Sequence, residues 1–434
     1  MTQAAICGIF MLIFVFIFLV LGAPVCVSIG VSSAAAMFLI TTPDKAILVS
    51  AQKIFAGTSV FSLMAIPFFI LAGVLMNNGG IAKRLVNCSK ILVGGLPGAL
   101  AQTNIVANML FGAVSGSGCA AAAAMGGIMG PIEEEEGYDK SYYAAVNIAS
   151  APTGMMIPPS NTLIVYATVA GTVSISALFM AGYLPGILWG LGNMVVAGVM
   201  AKKLGYKSTE RVGLKEGIRV VLDAIPCLLM IVVVIGGILI GAFTATEGSA
   251  IAVMYALILG IIYKNIKIKD LPGYLLESAN MTSIIIIMIG ISSIMSYVMA
   301  YTGIPKIIAG ALMSITTNRI LILLIMNICL LILGTFMDPT PAILIFTPIF
   351  LPICQSFGMS PIQFGLMITF NLCIGAITPP VGTVMFTGCR VANTNIETII
   401  KRLLPFFAVT AGVLLLVTYI EPITMFIPRA LGLA

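Results

Sequence analysis

Residues 131–162 read PIEEEEGYDKSYYAAVNIASAPTGMMIPPSNT, and residues 352–383 read PICQSFGMSPIQFGLMITFNLCIGAITPPVGT. Laid side by side without a gap, at an offset of 221, they agree at seven of thirty-two positions: Pro131/Pro352, Ile132/Ile353, Gly137/Gly358, Gly154/Gly375, Pro158/Pro379, Pro159/Pro380 and Thr162/Thr383. Chance matching of apolar sequence also produces identities, but paired prolines and glycines carry backbone meaning. Outward from this core the offset drifts only slightly, with Gly22 near Gly241, Gly80-Ile81 near Gly303-Ile304, and Pro185 near Pro405. The whole chain therefore reads as two copies of one unit.

The unit belongs in a bilayer. The 434 residues are 60% hydrophobic and 8% charged, with a mean hydropathy of +1.15, whereas a soluble domain needs about a quarter of its residues charged. At roughly 20 apolar residues per helical span, the length allows about ten to thirteen passages. A β-barrel is excluded because Ile9–Leu21 and Ile284–Ile291 are apolar on every side instead of alternating. The chain has no histidine, which removes imidazole metal sites, Ser-His dyads and histidine proton relays. The nine cysteines never form a C-x-x-C pair, so neither a disulfide nor a cluster is expected. Met1–Ala5 carries no Lys or Arg ahead of the apolar run, which predicts a retained first helix in place of a secretory leader. The net charge of +6 is not a nucleic-acid signal here, because in a membrane protein the placement of the positive residues is what matters.

Apolar runs predict an all-α polytopic fold with ten spans, near 5–22, 25–41, 55–76, 143–170, 175–200, 220–241, 246–263, 279–300, 362–388 and 396–420. Segments 98–130 and 320–351 carry small and polar residues at their middles, where a span is most apolar. Both are predicted to be re-entrant hairpins. With the amino terminus outside, 16 of the 21 Lys and Arg fall in the inner connections 77–97, 131–142, 201–219, 264–278 and 389–402, as the positive-inside rule requires. Both termini are then outside. Each copy crosses five times, an odd number, so the second copy is inverted relative to the first. The first repeat covers 1–200, with scaffold spans at 5–76, and the second covers 220–434, with scaffold spans at 220–300; 201–219 is the cytoplasmic linker. This arrangement is typical of secondary transporters, which bind near the midplane where interrupted helices of the two halves meet.

Chemistry is expected at four backbone breaks, because non-helical backbone at membrane depth is tolerated only in protein or a water-lined cavity. The hairpins turn at Ser115-Gly116-Ser117-Gly118 and at Asp338-Pro339-Thr340-Pro341, with Ser117 aligned on Asp338. The two broken helices are interrupted at Pro152-Thr153-Gly154 through Pro158-Pro159-Ser160-Asn161-Thr162, and at Gly375 through Thr378-Pro379-Pro380-Val381-Gly382-Thr383. Proline pairs free carbonyls, and Ser, Thr and Asn add neutral oxygens, a donor set that suits Na+. Half-helix amino termini beyond the breaks offer N–H groups and positive dipole ends to a carboxylate, and no Lys or Arg lies in any of the four segments. Asp338 is the single acid placed at depth, so it needs a partner; a bound cation and capping of the following helix are both open. Glu247 is expected to cap its helix. Glu133–Glu136 is expected to be a solvated acidic face.

The stretch Gly112-Ala-Val-Ser-Gly-Ser-Gly118, followed by Gly130-Pro-Ile132, Gly137-Tyr-Asp139 and Ile157-Pro-Pro-Ser160, resembles the large membrane subunit of tripartite ATP-independent periplasmic (TRAP) transporters. Gly241-Ala-Phe-Thr-Ala-Thr-Glu247 and Thr378-Pro-Pro-Val-Gly382 extend the likeness over nearly the entire chain. The resemblance implies a sodium-coupled importer of an organic acid (a C4-dicarboxylate, keto acid or sugar acid such as sialic acid) in the bacterial inner membrane, working as an elevator. It implies two partners, a small four-helix membrane subunit and a periplasmic substrate-binding protein. By motif match, one Na+ site would involve Ser115, Ser117, Thr153, Gly154, Pro158 and Asn161, and the other Asp338, Thr340, Gly375, Thr378 and Gly382. The substrate would meet Ser115, Gly116, Ser160, Asn161, Thr162 and Thr383. The four consecutive glutamates at 133–136 are more acidic than the family's loop leads one to expect.

A stand-alone sodium-dicarboxylate symporter of the related ion-transporter superfamily shares hairpins and inverted repeats but typically carries Ser-Asn-Thr at its hairpin tips; here the first tip reads Ser-Gly-Ser. An intramembrane serine protease would use a histidine base. A duplicated scaffold without transport would show no ion-dependent behaviour.

Overall fold

The computed structural model describes residues 3–206, 214–316, 318–379 and 381–433. Residues 207–213 of the expected linker, and Pro380 of the second break, lie outside the described residues. The described chain is helical throughout. The first half comprises α1 (Gln3–Val20), α2 (Val25–Ile40), α3 (Pro43–Thr58), α4 (Ala65–Asn78), α5 (Ile81–Val93), α6 (Ala99–Ser115), α7 (Gly118–Glu135), α8 (Lys140–Ser150), α9 (Thr153–Met156), α10 (Asn161–Ala170) and α11 (Ile175–Leu204). The second comprises α12 (Leu214–Leu239), α13 (Ala245–Ile262), α14 (Leu271–Thr302), α15 (Ile304–Ile315), α16 (Arg319–Gly334), α17 (Pro339–Ser356), α18 (Pro361–Gly375), α19 (Thr383–Val391), α20 (Ile396–Tyr419) and α21 (Glu421–Ala430).

Seven helical segments among the described residues are long and apolar enough to cross a bilayer. Six coincide with expected spans, and the seventh, Pro339–Ser356, is the second arm of the hairpin expected at 320–351. The helices at 5–22 and 25–41 are apolar but shorter. The two segments expected to be interrupted are indeed split, into α8, α9 and α10 and into α18 and α19.

Three differences from the sequence reading have local causes. The span expected at 55–76 is divided: α3 ends at Thr58, a 3-10 turn follows at Phe61–Met64, and α4 restarts with Pro67 in its first turn, where a missing N–H leaves no bond unmade. The connection 77–97 holds α5, whose buried Ile81, Ala82, Leu85, Val86, Ser89 and Val93 recur at helical spacing; Arg84 on its other face pairs with Asp223 at 3.0 Å and lies 3.4 Å from the centre of the Tyr263 ring. Glu133, expected in a solvated acidic face, is fully buried, whereas Glu134, Glu135 and Glu136 are exposed. The reason is that α7 continues to Glu135, so residue 133 extends the buried stripe Ala121, Met125 and Met129 at four-residue steps; its Oε2 accepts from Asn104 Nδ2 at 3.3 Å. At α13 the expected cap is present: Glu247 accepts from the Thr244 backbone N–H at 2.7 Å and completes a capping box.

Close packing concentrates where the hairpins meet the broken helices. A Cβ placed on Gly154 would meet the backbone of Gly112 and Ala113, and one on Gly375 would meet the backbone of Gly334. In both halves, then, the first arm of a hairpin lies backbone to backbone against the break of the following helix. Asparagines reinforce each contact: Asn108 Nδ2 donates to Asn147 Oδ1 at 3.0 Å and Ser150 Oγ at 2.9 Å, and Asn371 Nδ2 donates to Asn327 Oδ1 at 2.6 Å. Fully buried Trp189 ties α11 to α20 through Thr410 Oγ1 at 3.0 Å.

Gly154→Val and Gly375→Val are therefore expected to destabilise the fold by about 1–3 kcal/mol or more through overpacking, read as a lower melting temperature in detergent. Gly236→Ala, where an added Cβ meets nothing within 4 Å, is the control. A Gly154→Val protein melting with the wild type would remove the backbone contact as a stability determinant.

Candidate functional site

The first tip is built by a helix that stops and a helix that starts. α6 ends at Ser115, Gly116 adopts φ 61°, and Ser117 caps α7 by accepting from Ala120 N–H at 3.3 Å. Only glycine takes that left-handed turn without strain. A Cβ there would also stand 2.9 Å from Asn161 Nδ2, so the Asn161 amide is laid against the tip. In the second tip Asp338 occupies the same N-cap position before α17 as Ser117 does before α7, its aligned partner, but its carboxylate makes no cap bond. Asp338 Oδ1 instead accepts from Thr383 Oγ1 at 3.2 Å, and Gly382 N–H donates to Thr335 C=O at 3.2 Å. Both bonds tie the second tip to the second break. Gly382, at φ 35°, is hemmed in by the Thr378 and Ala376 carbonyls, which lie 2.9 and 3.1 Å from where a Cβ would stand.

A cavity of about 380 Å³ lies between the two tips and helices α4 and α14. Of the residues singled out in the sequence, Ser115, Gly116, Ser117, Asn161, Thr162, Asp338 and Thr340 line it. Ser160 does not: it is fully buried, its hydroxyl bonded to Met155 C=O and, at 2.8 Å, to Thr162 Oγ1. Thr153, Gly154 and Pro158 are buried behind it, and Thr153 Oγ1 donates to Ser150 C=O. Gly375 is buried against Gly334, Thr378 Oγ1 bonds back to Ile374 C=O at 2.7 Å, and Thr383 reaches the cavity only through Asp338.

Three helix amino termini, those of α7, α10 and α17, converge on the cavity through Gly118, Asn161 and Thr340. They present positive dipole ends and N–H groups; in α17 prolines at 339 and 341, which carry no N–H, flank Thr340. No Lys or Arg is among the described residues lining the cavity. Asn161 Oδ1 is buried with no hydrogen-bond partner, an acceptor left over for a donor or a cation, since a buried oxygen without one costs about 1–3 kcal/mol. The donor set of hydroxyls, an amide oxygen and a single carboxylate fits a hard monovalent cation better than a thiolate- or imidazole-seeking metal.

Sequence reasoning missed the far wall. α14 begins at Leu271, inside the expected connection 264–278, so Glu277 is a helical residue facing the cavity and not a loop residue; α4 likewise runs to Asn78 and brings Gly73 and Asn77 to the site. The signal was present in the sequence as Ile70, Gly73, Val74 and Asn77, and as Glu277, Met281, Ile284 and Met288, each at three- and four-residue steps.

Two helical hairpins, two interrupted helices and a cavity with neutral oxygens at their meeting point have the form of a polytopic membrane transport protein. The architecture resembles that of the Alcanivorax borkumensis YdaH transporter, with a TM-score of 0.64 over 87% of this chain and 89% of that one at 13% identity. Residues 12–423 match the family described as tripartite ATP-independent periplasmic transporter, DctM component. The chain belongs to that family, and is thus the large permease component of a tripartite transporter, a multi-pass protein of the inner membrane. It is 49% identical to the uncharacterized protein YgiK of Salmonella typhimurium over 95% of both chains. It is 40% identical to the isethionate TRAP transporter permease protein DctMQ of Oleidesulfovibrio alaskensis, over 94% of this chain and 64% of that one. Identity to the C4-dicarboxylate TRAP transporter large permease protein DctM of Rhodobacter capsulatus is 34%, over 95% and 96%.

Gly73 is where α4 passes the first tip: a Cβ there would lie 3.2 Å from Ser115 C=O and 3.3 Å from its Cα. Gly73→Ala is expected to disfavour this arrangement by about 1 kcal/mol or more, lowering uptake at least about fivefold with normal membrane expression. Unchanged initial uptake rates would show that the tip does not need this close approach.

Proposed function

We propose that this permease is a sodium-coupled secondary transporter that imports a carboxylate-containing solute across the inner membrane by an elevator movement. The observation that carries the reading is the convergence of both hairpin tips and the α10 amino terminus on one cavity that holds Asp338, the unpartnered Asn161 Oδ1 and no basic residue. Ser115, Ser117 and Asn161 would hold one Na+ with the carbonyls freed around Thr153, Gly154 and Pro158. Asp338 and Thr340 would hold the other, with the freed carbonyls around Gly375, Thr378 and Gly382. The bound cations neutralise Asp338 and complete a positive environment with the helix amino termini, so the solute's carboxylate is received only when Na+ is present. That dependence is the coupling. Ser115, Gly116, Asn161 and Thr162 are the direct contacts proposed for the carboxylate; Ser160 and Thr383 act behind them by holding Thr162 and Asp338.

The positive-inside distribution supports both termini on the periplasmic face. In that orientation the cavity, walled by the later turns of α4 and the early turns of α14, opens toward the cytoplasm. The hairpins and broken helices would move together past α4 and α14 to reach the other side, as an inverted repeat permits. Substrate would be delivered by a periplasmic binding protein, and a small four-helix membrane subunit would complete the permease. The named relatives of the family carry organic anions, which supports an organic acid as cargo.

Added Na+, but not K+, is expected to raise the melting temperature of the purified protein, by mass action on the folded state. Asp338→Asn, which keeps a partner for Thr383, is expected to lower sodium-dependent uptake more than about tenfold with expression intact. Sodium-dependent uptake close to wild type in that variant would return Asp338 to a helix-terminal role alone.

A further inference from the structure

The cavity is lined by unlike surfaces. The hairpin tips and Asn161 form one; α4, which touches the first tip at Gly73, and α14 form the other, which includes Asn77 and Glu277. On α14, residues 277, 281, 284, 285 and 288 present one stripe to the cavity, about 16 Å long at 1.5 Å per residue. That stripe is Met and Ile apart from Glu277. The side chain is exposed and takes part in none of the ion pairs among the described residues. Glu277 and Asp338 are the two acidic residues among the described residues lining the cavity, one on α14 and the other at the second hairpin tip. Asp338 has Thr383 and, in the reading above, a cation; Glu277 has neither.

We propose that Glu277 reads the far end of the transported solute, which is a monocarboxylate carrying a hydroxyl or ammonium group at its opposite end in place of a second carboxylate. The proposal rests on the reading that the tips receive a carboxylate in the presence of Na+. A second carboxylate would meet Glu277 with no Lys or Arg among the described lining residues to offset it, a like-charge contact that disfavours binding even where solvent moderates it. A hydroxyl or ammonium donates to the Glu277 carboxylate in a charge-assisted bond, while Asn77, on α4 and lining the same cavity, can donate or accept for further polar groups. Met281 and Ile284 cover the carbons between the two ends.

Matched acids that differ at one terminus test this. The full-length protein, purified in detergent with Na+, is titrated by thermal shift with succinate against 4-hydroxybutyrate and 4-aminobutyrate, and with glucarate against gluconate. The hydroxyl- or ammonium-terminated member of at least one set is expected to bind at least about fivefold more tightly than its dicarboxylate. Glu277→Gln, at an exposed position, is expected to leave the ligand-free melting temperature unchanged and to erase that preference by tightening the dicarboxylate. Glu277→Ala should weaken the hydroxyl-terminated acid as well. Dicarboxylates that bind the wild type as tightly as their partners, or a preference that survives in both variants, would overturn the role of Glu277 while leaving the sodium-dependent carboxylate site intact. If none of these acids stabilises the wild type in Na+, the carboxylate reading fails and this inference with it.

Discussion

Backbone lying directly on backbone, at Gly112 against Gly154 and at Gly334 against Gly375, is the constraint on which the rest of the site depends. In a bilayer, apolar side chains gain little by leaving lipid for a protein interior, so helices associate through close packing and polar contacts. Glycine at these four positions lets each hairpin arm approach its broken helix until the breaks and the tips share one space. The freed carbonyls and N–H groups can then be satisfied by protein or by a cavity in place of lipid. A Cβ at any of these four positions would press on the facing backbone or side chains, most severely at Gly154 and Gly375.

Buried amides hold the register of that contact. Asn108 reaches Asn147 and Ser150 from the first hairpin, and Asn327 receives Asn371 in the second. Each bond joins a hairpin arm to a broken helix, so arm and helix behave as one unit. Such bonds contribute on the order of 1 kcal/mol each in membranes, modest beside packing, but their directionality fixes which residues face each other. Glu133 enters the same network through Asn104, and its second oxygen has no partner. A lone buried carboxyl of this kind makes the end of the first hairpin away from its tip sensitive to its surroundings, because a charge at that point is costly to leave unpaired.

Much of this was legible in the sequence because the decisive residues are backbone letters. Pro158-Pro159 and Gly375 through Pro379 announce interruptions wherever they fall in an apolar run, and Ser115-Gly116-Ser117 announces a turn. Glu247 was legible for the same reason, as a cap three residues after Thr244. Burial was less so. Ser160 and Thr162 are neighbouring small polar residues of equal promise in the sequence, yet one is sealed behind Met155 and the other lines the cavity; only the helix start at Asn161 decides between them. The far wall escaped for a different reason. Hydropathy sets span ends by composition, and Glu277 looks like the close of a cytoplasmic loop until α14 is seen to begin at Leu271.

The two halves differ in chemistry at their hairpin tips. Ser117 and Asp338 stand at the same N-cap position of their helices, but one is a hydroxyl bonded within its own tip while the other is a carboxyl that reaches across to Thr383. A duplicated site with an acid at both tips would need two cations merely to become neutral before an organic anion could enter. With an acid at one tip only, a first cation would neutralise the proposed site and a second would make it attractive to a carboxylate, because hydroxyls and helix amino termini supply no full charge of their own. An arginine in the same place would bind the anion permanently and without sodium. In the proposed mechanism, neutral oxygens with a single carboxylate would therefore do what a basic residue cannot: they would make the affinity for the solute conditional on the ions that travel with it.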